Sequence, residues 1–158
     1  KWPIFVPLWM LFLSCVTVSS GSTGGGIKMI RTLILAQQGL VELKRLVHPQ
    51  LVAPLRVGNT AIPPQIAGAV LGFIFLYILA VGELTFFLVA DGLDFTSAIT
   101  AIVACINNAG PGLNVVGPAK NYAALTDFQT WVCAFAMLVG RLEVLSVFVL
   151  FTPTFWRR

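Results

Sequence analysis

The chain has 158 residues, of which 58% are hydrophobic and only 10% charged, and its mean hydropathy is +0.91. Soluble domains carry about 25% charged residues, and a core of this size cannot hide so much apolar surface. An ordinary soluble globule and a disordered chain are both excluded, which leaves lipid as the natural solvent. The net charge of +4 is spread thinly, with no basic patch interleaved with aromatics, so no nucleic-acid partner is expected. His48 is the single histidine, and Cys15, Cys105 and Cys133 lie far apart in apolar surroundings. That inventory supplies no catalytic triad, zinc spacing or disulfide framework. The expectation is a non-enzyme with no covalently bound cofactor. The chain opens at Lys1 straight into an apolar run and reads as a piece of a longer membrane protein.

The run from Trp2 to Ser20 is uncharged and long enough to cross, or half cross, a bilayer. Pro3 and Pro7 stand near its start, where proline is best tolerated. Gly21, Ser22, Thr23, Gly24, Gly25 and Gly26 follow, then Ile27 and Lys28; four glycines in six residues do not hold a helix. A second helical stretch runs from Met29 to about Val47 and turns amphipathic at Glu42, Lys44 and Arg45. Residues 48–65 are polar and proline-rich and read as a loop.

Residues 66–90 form a 25-residue apolar run with Glu83 as its only charge. At 1.5 Å rise per residue it spans a hydrocarbon core of about 30 Å with some tilt. Asp91, Asp94 and Thr96 are good N-cap types before a short apolar stretch, Ser97 to Ile106. That stretch is too short to span and reads as re-entrant or buried. Asn107-Asn108-Ala109-Gly110-Pro111-Gly112 stops it, and residues 113–127 are a small-residue polar loop. The last run, Phe128 to Thr152, is broken only by Gly140-Arg141-Leu142-Glu143, and the chain ends on an interfacial Trp156 with Arg157 and Arg158.

Charge sets the expected topology. Residues 28–56 hold five bases (Lys28, Arg31, Lys44, Arg45, Arg56) against Glu42, whereas 83–127 hold four acids (Glu83, Asp91, Asp94, Asp127) against Lys120. The positive-inside rule puts 42–60 and the C-terminus in the cytoplasm and 91–127 outside. Two crossings, 66–90 and 128–152, satisfy that orientation, so 95–112 enters from outside and turns back. Irregular backbone at membrane depth is tolerated only when it is protein-buried or lines a water-filled path. A half-helix aimed into the membrane and followed by exposed carbonyls is how cation filters are built.

Three motifs carry the functional readings. In residues 107–112, Gly110 frees the backbone to turn its carbonyls toward an axis, where they replace a cation's water shell; the competing reading is an ordinary outer turn. Gly21 to Lys28 fails the phosphate-loop pattern, because Met29 rather than Ser or Thr follows the lysine and no strand precedes it. It reads either as a mobile break inside a membrane helix or as a plain turn between two helices. Arg141, near the middle of an apolar run, costs about 2.5–3.5 kcal/mol to insert and so faces a polar cavity or a partner. Glu143, two residues on, lies on another face of the helix. Arg141 is then a fixed positive charge beside an ion path, or half of a structural ion pair to another helix.

The strings GSTGGGIKMIR, ELKRLVHP (42–49), NNAGPGLNVVGP, GRLE (140–143) and LFTPTFWRR, in this order and spacing, resemble the C-terminal third of TrkH-type membrane subunits of Trk potassium uptake systems, in the Trk/Ktr/HKT superfamily. The resemblance covers essentially the whole chain. It implies an all-α integral membrane fold of M1–P–M2 pore repeats, here half of the third repeat and the whole fourth. On that template 1–47 is the third repeat's M2, broken by an intramembrane loop at 21–28, and 48–65 belongs to a cytoplasmic loop. Residues 66–90 are then the fourth M1, 95–107 its pore helix, 108–112 its filter and 126–152 its M2. The resemblance further implies K+ as the transported ion, held by backbone carbonyls of Asn108 and Ala109, with Gly110 completing the filter residues. Residues Gly21, Ser22, Thr23, Gly24, Gly25 and Gly26 become a gate, and Arg141 a charge projecting into the pore under the filter.

The same resemblance implies a bacterial inner-membrane location, with 91–127 periplasmic, a homodimer of the full-length protein, and a cytosolic nucleotide-binding regulatory subunit. Other filter strands are missing, so no closed pore forms from this chain alone. The filter reads Asn108-Ala109-Gly110 rather than the threonine-rich form of the best-known potassium filters, which suggests looser selectivity. A sodium-permeable or sodium-coupled transporter is the nearest alternative, and a non-conducting membrane anchor the alternative of another class.

Overall fold

The structure, a computed structural model, describes residues 5–16, 19, 25–50, 54–58 and 60–142. Five α-helices carry it: α1 (Phe5–Val16), α2 (Met29–Val47), α3 (Pro64–Ala90), α4 (Phe95–Ile106) and α5 (Asp127–Arg141). The long proline-rich connection before α3 holds a small hairpin, β1 (Arg56–Val57) and β2 (Thr60–Ala61), with Arg56 opposite Ala61 and Val57 opposite Thr60. Residues 48–65 are therefore not all loop. Two-residue strands carry no alternation from which a sequence reading can find them.

The helix ends have local causes. α3 begins at Pro64, two residues before the apolar run, because proline in the first turn forfeits no helical hydrogen bond. α4 starts on Asp94, whose carboxylate accepts from the Ser97 amide at 3.0 Å. α5 starts on a capping box: Thr126 Oγ1 accepts from the Gln129 amide at 3.2 Å, and Gln129 Oε1 accepts from the Thr126 amide at 3.2 Å. The Thr126 hydroxyl also donates to the Asp91 carboxylate at 2.7 Å, and Gln129 Nε2 donates to the Asp91 carbonyl at 3.3 Å. These bonds tie the end of α3 to the start of α5.

α4 is the centre of the fold. Eight of its 12 residues are buried (Ser97, Ala98, Thr100, Ala101, Ile102, Ala104, Cys105, Ile106). Ala98, Ala101, Ile102, Cys105 and Ile106 among them meet Phe73, Tyr77, Leu84 and Leu88 of α3 and Cys133, Ala136 and Val139 of α5 in one cluster. The small residues on α4 and α5 let the backbones approach closely, which is how helices pack where lipid removes the hydrophobic drive. α3, at 27 residues, is long and apolar enough to cross a membrane, yet only 33% of its most apolar window is buried. Phe75, Ile78, Phe86 and Phe87 on α3 and Trp131, Phe135 and Leu138 on α5 face outward, as befits helices in a hydrocarbon surround. All three cysteines are free; Cys105 and Cys133 are buried. The extension of the last run to residue 152, with Glu143, lies outside the described residues.

Candidate ion-binding site

α4 is only 12 residues long and ends inside the fold, so its last carbonyls meet protein rather than a headgroup layer. A helix C-terminus carries about half a negative charge from its unpaired carbonyls, which favours a cation beside it. The chain does not continue forward from that end. Asn107 caps the helix, and the backbone reverses through Asn108 at φ 54° and Gly110 at φ 92°. Both angles are left-handed, which glycine adopts freely and asparagine tolerates better than most residues. Ala109 stands between them, so the sign of φ alternates through the turn and successive peptide groups leave the helical pattern.

The irregular segment that follows, ending in a short 3-10 turn at Asn114–Val116, returns alongside α4, held by buried hydroxyls. The Leu113 amide donates to Thr100 Oγ1 at 3.0 Å, and the Val115 amide donates to Ser97 Oγ at 3.2 Å. Gly112 donates to the Val116 carbonyl at 2.9 Å, and a Cβ on Gly112 would meet α4 backbone at 3.2 Å, so glycine lets the segment lie flat on the helix. Residues 95–113 are thus a helix followed by an irregular segment that runs back along it. Asn108, Ala109 and Gly110 are exposed at the inner end. The Asn108 and Ala109 amides donate to the Cys105 and Ala104 carbonyls at 3.0 and 2.9 Å. Among the described residues neither the Asn108 nor the Ala109 carbonyl accepts a hydrogen bond. Gly110 differs: its carbonyl accepts from the Tyr122 hydroxyl at 2.8 Å. Burial pushes the Tyr122 hydroxyl well above the ordinary tyrosine range, so it remains a donor at physiological pH.

Of the six loop residues, Gly25 and Gly26 are described, and Gly21, Ser22, Thr23 and Gly24 lie outside the described residues. Gly25 and Gly26 are buried against the C-terminal end of α4. A Cβ on Gly25 would overlap the Ile106 carbonyl oxygen and stand 3.2 Å from the Gly140 carbonyl. A Cβ on Gly26, at φ 92°, would overlap Asn107 Oδ1. Gly140 presses on Ile106 from the other side, where a Cβ would overlap the same Ile106 carbonyl. Arg141 is the next residue, exposed at the last turn of α5. Gly25, Gly26, the end of the half-helix and Gly140 therefore converge within contact distance, although 115 positions separate Gly25 from Gly140.

Two side chains at this site carried no sequence signal. Tyr77 donates to Asn107 Oδ1 at 3.1 Å, and Tyr122 donates to Gly110. A hydroxyl inside the apolar run 66–90 is the one feature that marks Tyr77.

Apolar helices flank a buried half-helix whose end exposes a reversed turn of backbone carbonyls, the arrangement of a membrane-embedded segment. The chain belongs to the TrkH family, described as cation transport protein, which matches it over residues 1–158. It is 46% identical over 157 residues to the Trk system potassium uptake protein TrkH of Salmonella typhimurium, covering 99% of this chain and 32% of that relative. The protein of the same name from Escherichia coli K12 is likewise 46% identical, and the TrkG protein of that strain 35% identical, each over 99% of this chain and 32% of the relative. The crystal structure of the potassium transporter TrkH from Vibrio parahaemolyticus superposes with a TM-score of 0.90 at 44% identity, covering 99% of this chain and 33% of that one. The chain spans about a third of the length of these relatives.

Proposed function

We propose that this chain is part of the pore of a potassium transporter of the bacterial inner membrane. One observation carries the reading: a buried half-helix delivers the exposed Asn108 and Ala109 carbonyls, free of hydrogen bonds among the described residues, to the negative end of its own dipole. The relatives' names supply the ion. Potassium sheds water at these carbonyls, and Gly110 permits the backbone turn that aims them. Residues 21–26 form a gate beneath the filter, and Arg141 adds a fixed positive charge that limits cation flow. Residues 1–47 and 66–152 take the M2 and M1–P–M2 roles of two adjacent repeats. Residues 42–60 and the C-terminus face the cytoplasm, and 91–127 the periplasm. The intact protein is a homodimer, with a cytosolic nucleotide-binding regulator meeting the basic stretch 42–56.

Rubidium uptake by the intact transporter carrying Gly110→Ser, Gly24→Ala or Arg141→Ala tests this. Gly110→Ser abolishes or derails selective uptake, and Arg141→Ala raises flux. Unchanged flux and selectivity in all three refutes it.

A sodium-permeable or sodium-coupled reading is favoured by one feature, the absence of a threonine hydroxyl from Asn108-Ala109-Gly110. Strong competition of rubidium uptake by sodium decides for it. A non-conducting anchor requires single cysteines at 100–110 to react with aqueous label regardless of potassium.

A further inference from the structure

The turn that carries the Asn108 and Ala109 carbonyls begins on strained backbone. Asn107 is its last right-handed residue, at φ −80° and ψ −6°, and Asn108 follows at φ 54°. A residue with a side chain is strained at that angle, and the strain persists only where the surroundings hold it. The amide side of the turn is held by α4 itself. The Asn107, Asn108 and Ala109 amides donate to the Val103, Cys105 and Ala104 carbonyls at 3.1, 3.0 and 2.9 Å. The side chain of Asn107 adds a second restraint, from outside that helix. It is 4% exposed. Its Oδ1 accepts from the Tyr77 hydroxyl of α3 at 3.1 Å, and its Nδ2 donates to Cys15 Sγ in the last turn of α1 at 3.2 Å. One carboxamide thus spans from one flanking helix to the other, through the residue that launches the turn. Neither bond is needed to end the helix, which the Asn107 backbone amide already caps.

We propose that Asn107, oriented by Tyr77, is a positioning residue that aims the Asn108 carbonyl and so determines how well the site tells potassium from sodium. The inference rests on the reading of the Asn108 and Ala109 carbonyls as cation ligands. A carbonyl site discriminates between the two ions by the spacing and number of the oxygens it presents. Rotation of the peptide between Asn107 and Asn108 changes both. A buried carboxamide is costly unless both its ends are paired, so it does not swing away while Tyr77 and Cys15 hold it. Tyr77 is itself fixed, buried in the core with its ring stacked on Phe73 at 6.4 Å between centroids. The hydroxyl is therefore offered from a rigid support, and the turn inherits that rigidity.

The test measures rubidium uptake and its inhibition by sodium in the intact transporter, reconstituted in proteoliposomes. Tyr77→Phe removes one hydroxyl and keeps the ring. It lowers discrimination against sodium by about fivefold, the worth of one hydrogen bond. Asn107→Leu keeps the bulk, removes both bonds and lowers discrimination at least as far. Cys15→Ala has a smaller effect, since a thiol is a weak acceptor. The double variant of Tyr77→Phe and Asn107→Leu is no worse than Asn107→Leu alone, because the hydroxyl has already lost its partner. A purely structural role for Asn107 lowers the uptake of both ions together and leaves their ratio unchanged.

Gly110→Ser, in the same preparation, separates the possibilities. If it alters discrimination while Tyr77→Phe and Asn107→Leu do not, Asn107 does not aim the carbonyl, and the filter reading stands. If it too leaves uptake and discrimination unchanged, filter and positioning residue fall together. An equal loss of rubidium and sodium uptake in the Asn107 and Tyr77 variants, or a double variant in which their effects multiply, also overturns the proposal. Should Asn107→Leu not reach the membrane, Tyr77→Phe alone decides: discrimination at the starting level is the result that refutes it.

Discussion

Both tyrosines of the chain end on the pore segment, one at its buried base and one at its exposed turn. Tyr122 donates to the Gly110 carbonyl at 2.8 Å, whereas the Asn108 and Ala109 carbonyls accept no hydrogen bond among the described residues. Removing that hydroxyl frees Gly110 to rotate and loosens the spacing of the oxygens that replace a cation's hydration shell. Tyr122→Phe is therefore expected to keep rubidium uptake but weaken its discrimination against sodium by about fivefold, the worth of one hydrogen bond. Competition of rubidium uptake by sodium measures it. Asn108, Gly110 and Arg141 were legible in the sequence because each breaks a local pattern: a helix stop, a glycine, a charge among apolar residues. Tyr77 and Tyr122 were not, because their partners lie 30 and 12 residues away. No local periodicity encodes a bond across that separation.

The half-helix works as an element because both its ends are specified. At its outer end Asp94 accepts from the Ser97 amide, and Asn114 Nδ2 donates to the same carboxylate at 3.2 Å. Hydrogen bonding from Ser97, first, and from Asn114 holds the Asp94 carboxyl below its ordinary range. A lowered folded-state pKa stabilises the fold above the unfolded value and loses that contribution as pH falls through the folded one. The contribution of Asp94 to the melting temperature of the detergent-solubilised protein should therefore hold from neutral pH to about 4 and be lost below it. Asp94→Asn, which keeps an N-cap oxygen without the titration, should lack that acid-dependent loss.

At its inner end α4 depends on glycine. Gly140→Ala sets a methyl into the Ile106 carbonyl and is expected to cost about 1–3 kcal/mol or prevent assembly. Gly82→Ala, with nothing within 4 Å, should be neutral or stabilising by up to about 1 kcal/mol. Thermal melting of the two variants checks the contrast. Loss of the α5 cap in Thr126→Ala should cost about 1 kcal/mol, and more if the 2.7 Å bond to Asp91 contributes. The half-helix itself was readable from its length and its cap residues. Its glycine seat was not, because Gly25 and Gly140 meet only in three dimensions.

At the scale of the whole molecule, the apolar bulk and the few charges carry separate readings. Lipid as solvent followed from composition alone, and α3 agrees by turning most of its apolar surface outward. By the positive-inside rule, the basic stretch at 28–56 is expected on the cytoplasmic side of that helix and the acidic stretch at 83–127 on the other. Labelling single cysteines at positions 45 and 120 of the intact protein from either side of the membrane should find the first reachable only from the cytoplasm and the second only from outside. What one chain of this length cannot encode is the ring of opposing oxygens that closes a filter.

The central claim is that potassium is held by the Asn108 and Ala109 carbonyls. The most direct measurement is anomalous diffraction from crystals of the intact transporter grown with rubidium or thallium in place of potassium. A peak within coordinating distance of those two carbonyls, lost in Gly110→Ser, is the expected result. A peak confined to other parts of the protein, in crystals of a transporter that still takes up rubidium, would contradict it.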